Sequence, residues 1–291
     1  MENLEKIEGK KSEVLISNPE KLQEKIQKFK EGGIEKIHVL ADFDKTLTRA
    51  FMGKKGFPSV ISLLRDGTYL TPDYAEKAHA LFNEYHPDEI NLSLSLDQRK
   101  QRMKEWWEKH FQLLINSGLE KKDLEDIVGS GNIQFRDGAE ELLKALREKN
   151  IPLVIISSNG VGNTTSMILE KEGMMSGNVH IITNIFEWDK DGKAICVKEP
   201  HIHVLNKNEV VVKDYPVYKE IENRKNVLLL GDSVDDNAMV EGFEYDEIIR
   251  IGFLNEKMEE NKEKYLESFD VVITSDGSME YVNELMDRLL S

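Results

Sequence analysis

The sequence predicts an α/β protein: a doubly wound, Rossmann-like parallel sheet carrying one inserted helical segment. Three observations lead there. Predominantly apolar runs at 37–41, 151–157 and 226–231 suit strands covered on both faces. Helical patterns alternate with those runs, as in a parallel sheet built from βαβ units. Between Phe51 and Phe135 the pattern turns helical, at 58–64, 71–85, 96–117 and 120–130, with no convincing strand among them. A length of 291 residues allows about two domains, or one with a large insertion.

Taken in order, Leu22, Ile26 and Phe29 recur at helical spacing over 19–31, with Asn18 as the cap, Pro19 in the first turn and Gly32-Gly33 as the stop. The run 37–41 follows and delivers Asp42 and Asp44. In the helical segment, Thr71-Pro72-Asp73 and Ser95 ahead of Asp97 mark helix starts, and polar or glycine-rich joints lie at 52–56 and 129–132. After Phe135 come a helix over 137–150, a strand ending at Ser157-Ser158-Asn159-Gly160, and a helix over 162–172. A strand at 179–183 precedes a hairpin over 186–194 that turns at Asp191-Gly192. A helix over 215–223, the strand 226–231, short strands at 247–252 and 270–274, and a closing amphipathic helix over 278–290 complete the chain.

Composition sets limits. Hydrophobic residues make up 40% and charged residues 32%, ordinary for a water-soluble globular chain. A formal net charge of −15 lacks the basic footprint of a nucleic-acid binder, although a local positive site still suits a small anion. Cys196 is the single cysteine, so no intrachain disulfide forms, a reducing compartment fits, and a buried structural thiol is expected. The first six residues lack a signal-peptide core, and no apolar run approaches about 18 residues, so a cytoplasmic protein that engages no membrane is expected.

Ligands of open parallel sheets collect beyond the carboxyl ends of the strands. Three strands here end in suggestive sets: Asp42/Asp44, Ser157/Asn159 and Asp232/Asp235/Asp236. Residues i and i+2 of a strand share a face, so Asp42 and Asp44 point one way, and two such carboxylates call for a cation or a shared proton. Hard oxygen donors suit Mg²⁺. The serine stretch before a helix suits a phosphate, and Lys207 is the candidate cation, with Lys198 and Lys213 as alternatives. Each set also has a plainer reading, as a turn, a helix cap or a solvated lysine.

The combination resembles the haloacid dehalogenase superfamily of phosphohydrolases, in Asp42-Phe-Asp44-Lys-Thr46, Ser157, Lys207 and Gly231-Asp232-Ser-Val-Asp235-Asp236. Within it the chain resembles the cytosolic pyrimidine 5′-nucleotidase III family. That likeness is carried by residues 41–49, Glu105-Trp106-Trp107, 203–207, 228–233 and 251–255, and it spans residue 20 to the C-terminus. The resemblance implies a catalytic core of residues 1–50 and 136–291, and a helical cap over 51–135 that chooses the substrate. It implies Asp42 as nucleophile, Asp44 as acid/base, and Mg²⁺ held by Asp42, the Asp44 carbonyl, Asp232 and Asp236. Ser157, Ser158 and Lys207 would hold the phosphate, and Thr46 would orient the loop. Asp235 stands where the family commonly has glycine, and Asp236 is matched to the family aspartate.

In the cap, Glu89, His110 and Trp107 (with Trp106 beside it) fall where the family contacts the nucleotide; a serine often stands at the position of His110. The implied substrate is a nucleoside monophosphate, CMP or UMP first and 7-methylguanosine monophosphate as the competitor, acted on by a monomer and without a nucleic-acid polymer as partner. Another small phosphomonoester, or binding without catalysis, are the alternative readings.

Overall fold

A computed structural model describes residues 12–52, 55–89, 91, 93–207 and 212–291. The six N-terminal residues and part of the joint at 52–56 lie outside them. The chain begins with β1 (Val14–Ile16) and α1 (Pro19–Gly32), whose start is capped by Asn18 Oδ1 accepting from the Lys21 amide at 2.9 Å. Strand β2 (Ile37–Ala41) follows, then a wide helical turn over Phe43–Leu47 and a small hairpin, β3 (Phe51–Met52) with β4 (Lys55–Gly56). That hairpin is a correction: its two-residue strands are too short to leave an alternating pattern.

Helices α2 (Val60–Asp66), α3 (Tyr74–Glu89), α4 (Leu96–Asn116) and α5 (Lys121–Gly129) come next. A capping box between Ser95 and Gln98 fixes the start of α4. Helix α3 runs past Pro87, which lies two residues from its end, where little helix remains to be disturbed. Then come α6 (Ala139–Glu148), β5 (Leu153–Val161), α7 (Thr164–Lys171), β6 (Val179–Asn184), β7 (Phe186–Trp188), β8 (Ala194–Val197) and α8 (Tyr218–Ile221). Strand β9 (Asn226–Gly231), β10 (Glu247–Leu254), α9 (Met258–Ser268), β11 (Val271–Thr274) and α10 (Glu280–Leu290) complete the order.

Seven strands form one sheet in the order β1-β11-β10-β9-β2-β5-β6, parallel throughout except for β1 at the edge. The fold class is therefore the one expected. Along β2, Ile37, Val39 and Ala41 enter the core cluster shared with α1, α6 and α10, while Leu40 enters the cluster of the opposite face. Both faces are covered, which is why these strands read as continuous apolar runs. Register sets Ala41 beside Ile155 on β5 and beside Leu230 on β9, so three strand ends open side by side.

Two expectations need correction here. Strand β5 does not stop at Ser157 but continues, through a register shift after Ile156, to Val161. Cys196 is exposed, not buried, because β8 turns Ala194 and Val197 inward and leaves Ile195 and Cys196 outside. Among the described residues no helix is long and apolar enough to cross a membrane.

His38 on β2 is buried, and burial pushes its imidazole down to about 4. The fold thus favours the neutral form: its contribution is complete above the unfolded value near 6.5 and is lost as pH falls toward 4. By pH 5 the loss amounts to about 2 kcal/mol. A His38→Asn variant should lose about 2 kcal/mol less than the parent between pH 7.5 and pH 5 in urea unfolding. Parallel pH profiles for the two proteins would contradict this.

Candidate active site

The site is assembled where β2, β5 and β9 end. The Asp42 amide donates to the Leu230 carbonyl at 3.0 Å, so the first acid is pinned to the neighbouring strand before the chain turns. Lys45 then takes a positive φ of 59°, which closes the turn and sends the backbone back on itself. Beyond β9, Ser233 caps a short helical stretch over Val234–Val240, and its amide donates to Asp236 Oδ2 at 3.0 Å. A Cβ on Gly231 would stand 2.5 Å from the Asp236 Cβ, so only glycine lets this loop fold so closely. The Tyr265 hydroxyl donates to the Asp232 carbonyl and steadies the same loop from α9.

Lys207 lies between the two acidic sets. Its ammonium donates to Asp42 Oδ1 at 2.5 Å and to Asp236 Oδ1 at 2.6 Å, with all three side chains buried. Burial opposes the lysine's charge, but the carboxylates of Asp236 and Asp42 outweigh it and hold the ammonium above its ordinary value. Oxygens of Asp42, Asp232 and Asp236 lie within 4.8 Å of one another. Burial, reinforced by the Asp236 charge, pushes Asp232 up to about 7. Burial also drives Asp42 well above the usual carboxylate range, against the pull of Lys207 and with the charges of Asp236 and Asp232 adding to it. One ammonium cannot neutralise this set, and its all-oxygen donors suit a hard divalent cation. Asp44 is raised by burial as well, moderated by the Asn159 amide, which suits a group that must hold and release a proton.

Above these acids lies a cavity of about 430 Å³. Its walls include Asp42, Asp44, Lys207, Asp232 and Asp236 at one end, and Glu89, Trp106, Trp107 and His110 from α3 and α4. Ser158 and Asn159 line it, whereas Ser157 is buried without lining it and sets its hydroxyl toward the Asp44 carboxylate. Thr46 is buried, and its hydroxyl has no partner among the described residues. Asp235 stands apart from the cluster: its side chain is 46% exposed and faces Arg99 at 4.0 Å. Of the alternative cations, Lys198 faces Glu187 at 3.7 Å on the β7–β8 hairpin, and Lys213 is exposed.

His110 is buried and shares a 3.0 Å hydrogen bond with the Tyr74 hydroxyl; burial pushes it down to about 4, so it is neutral at physiological pH. Trp107 stacks on it, with ring centroids 6.0 Å apart. Glu89 is half-buried and accepts from His86 Nδ1 at 2.9 Å, which leaves its other oxygen free of that bond. His86 in turn stacks on Phe82 at 4.7 Å. Phe82 and His86 escaped the reading of the sequence, although both line the cavity. Their spacing, at 82, 86 and 89 on one helix face, was the available signal.

Residues 45–290 match the family model described as UMPH-1, pyrimidine 5′-nucleotidase. The chain belongs to this family. It is 33% identical over 284 residues to the 7-methylguanosine phosphate-specific 5′-nucleotidase of Gallus gallus, covering 97% of this chain and 98% of that one. It is 32% identical over 287 residues to the putative cytosolic 5′-nucleotidase 3 of Caenorhabditis elegans, covering 96% and 76%. The crystal structure of cytosolic 5′-nucleotidase IIIB bound to cytidine superposes with a TM-score of 0.84 at 27% identity, covering 95% of this chain and 92% of that one. The protein is accordingly a phosphoric monoester hydrolase of the 5′-nucleotidase class with a haloacid dehalogenase-like fold.

Proposed function

We propose that this 5′-nucleotidase is Mg²⁺-dependent, hydrolyses nucleoside 5′-monophosphates through an aspartyl-phosphate on Asp42, and prefers bases that carry an amino group. The observation that carries the base preference is Glu89, set among Phe82, Trp106 and Trp107 in the cavity that ends at Asp42. A carboxylate accepts from an exocyclic amino group, present on cytosine and 7-methylguanine and missing from uracil. Indole faces also favour a base that carries positive charge, as 7-methylguanine does. The names of the relatives agree with this reading, and so does the cytidine in the neighbouring structure. CMP therefore stays the first choice among pyrimidines, UMP falls behind it, and 7-methylguanosine monophosphate ranks with CMP or above it.

In this reading residues 51–135 act as the substrate-choosing cap over a core of residues 1–50 and 136–291. An Asp42 oxygen bonds to phosphorus as the bond to the 5′-oxygen breaks, and Asp44 hands its proton to that oxygen. Asp44 then takes a proton from the attacking water, which cleaves the aspartyl-phosphate and frees phosphate. Lys207 offsets the charge on the phosphoryl oxygens from one side, and Ser158, with Ser157 behind it, from the other. Asp42, Asp232 and the Asp44 carbonyl would hold Mg²⁺, which when bound supplies further neutralisation of those oxygens. Asp236 supports that site in preference to Asp235, because it is buried within the cluster while Asp235 turns toward Arg99. A net charge of −15 lacks the basic footprint that a nucleic-acid polymer or an anionic membrane surface would call for, whereas the local charge of Lys207 suits one small phosphate.

The deciding experiment is phosphate release with and without Mg²⁺ over CMP, UMP, GMP, 7-methylguanosine monophosphate and ribose 5-phosphate. The expected order places CMP and the methylated nucleotide first and ribose 5-phosphate last. Glu89→Gln should lower kcat/KM for those two by about tenfold or more, one lost charged hydrogen bond, with UMP nearly unaffected. Ribose 5-phosphate turned over as well as CMP would overturn the nucleotidase reading; UMP matching CMP would overturn the role of Glu89.

A further inference from the structure

Arg136 lies at the end of the helical segment, where the chain re-enters the sheet, and its side chain is 1% exposed. A guanidinium has five N–H donors in a fixed fork. Here each has an acceptor: Nε donates to the Thr46 carbonyl at 2.9 Å, Nη1 to the Gly277 carbonyl at 2.6 Å, and Nη2 to the Lys45 carbonyl at 2.5 Å. The remaining two face the Asp276 carboxylate at 3.0 Å and Asn255 Oδ1 at 3.3 Å. Asn255 itself donates to the Lys45 carbonyl at 3.0 Å.

Asp276 completes the arrangement from the other side. Its two oxygens accept from the amides of Ala50 at 2.8 Å and Phe51 at 3.2 Å, on the strand of chain that leaves the sheet. Ser275 and Asp276 both adopt positive φ, 56° and 52°. Two successive non-glycine residues in that region are costly and persist only where surrounding structure fixes them.

We propose that Arg136 and Asp276 are positioning residues, which clamp both connections of the helical segment to the backbone just after Asp44 and so hold the catalytic loop in its working geometry. The inference rests on the assignment of chemistry to Asp42 and Asp44. A buried ion pair is a weak source of stability compared with apolar packing of similar volume, so holding this one in a strained backbone calls for another reason. That reason is what the pair grips. Two of the three gripped carbonyls, those of Lys45 and Thr46, belong to the residues that immediately follow Asp44, and both connections end in the same pair of side chains. A lysine could keep the charge but not five simultaneous bonds.

The test uses the full chain with CMP and with p-nitrophenyl phosphate, which has no base. Arg136→Lys and Asp276→Asn should each lower kcat on both substrates by about 10- to 100-fold, the scale of a misplaced reacting group, with KM changed by less than about threefold. The paired replacement Arg136→Met with Asp276→Leu strips the partners from three carbonyls and two amides, so it should melt below the parent and show the same depressed kcat in its folded form. A folded form of any of these variants with kcat within about twofold of the parent would overturn the proposal. If the paired variant fails to fold, Asp276→Asn, which keeps the shape and one acceptor, decides alone. Failure of the nucleotide reading would look different, as a parent protein active on p-nitrophenyl phosphate and inert on CMP.

Discussion

Asp42→Asn should reduce phosphate release from CMP by about 10⁴-fold or more while leaving the protein folded. The amide matches the carboxylate in shape but brings no anionic oxygen to phosphorus. The fold should tolerate it for a reason visible in the site. Burial and the charges of Asp236 and Asp232 already work against an ionised Asp42, so neutralising that position relieves repulsion even as it weakens the bond to Lys207. A melting temperature within a few degrees of the parent, together with lost turnover, is the expected pair of readings. Turnover that survives would remove Asp42 as the nucleophile.

Lys207→Met carries the second large effect, and it falls on stability as well as rate. The methionine fills similar space but strips the counter-charge from Asp42 and Asp236, which stay buried 2.5 and 2.6 Å from an ammonium no longer there. Breaking a buried pair by removing one partner typically costs about 3–5 kcal/mol. Urea unfolding at pH 7 should show a loss of that size, and kcat should fall about 10³-fold with the charge gone from the phosphoryl oxygens. Added Mg²⁺ should restore part of the lost stability, because a divalent cation relieves the same carboxylates. A variant as stable as the parent would mean that Lys207 does not balance the cluster.

Much of this was legible because it is local. Asp42 and Asp44 sit two residues apart after an apolar strand, and Asp232 follows directly on Gly231 at the end of another, so each half of the acidic cluster is written in a short stretch. Parallel pairing then brings the halves together without further instruction. Other elements leave no such trace. Helix α9 fully buries none of its residues and sets only Met258, Tyr265 and Leu266 against the core, too sparse a stripe to read, and β1 is a three-residue edge strand. The extension of β5 past Ser157 depends on pairing with Asn184 of β6, a partner that no local pattern announces. Arg136 and Asp276 are the extreme case. They meet across 140 residues of chain, and an isolated arginine beside Phe135 gives no hint of five waiting acceptors. Cys196 misled for the opposite reason: a lone cysteine is usually buried, but a strand on a two-stranded hairpin has an outer face.

The hydrogen bond from the Asp42 amide to the Leu230 carbonyl has one more consequence. It makes the protein use its sheet as a ruler. The gap between the first acid and the loop of Asp232 is set by the repeat between neighbouring strands, about 4.8 Å in any sheet. No surface loop has to measure that distance. Hairpins, helices and the outer segment could all be rebuilt or lengthened, and the graduation between β2 and β9 would still read the same.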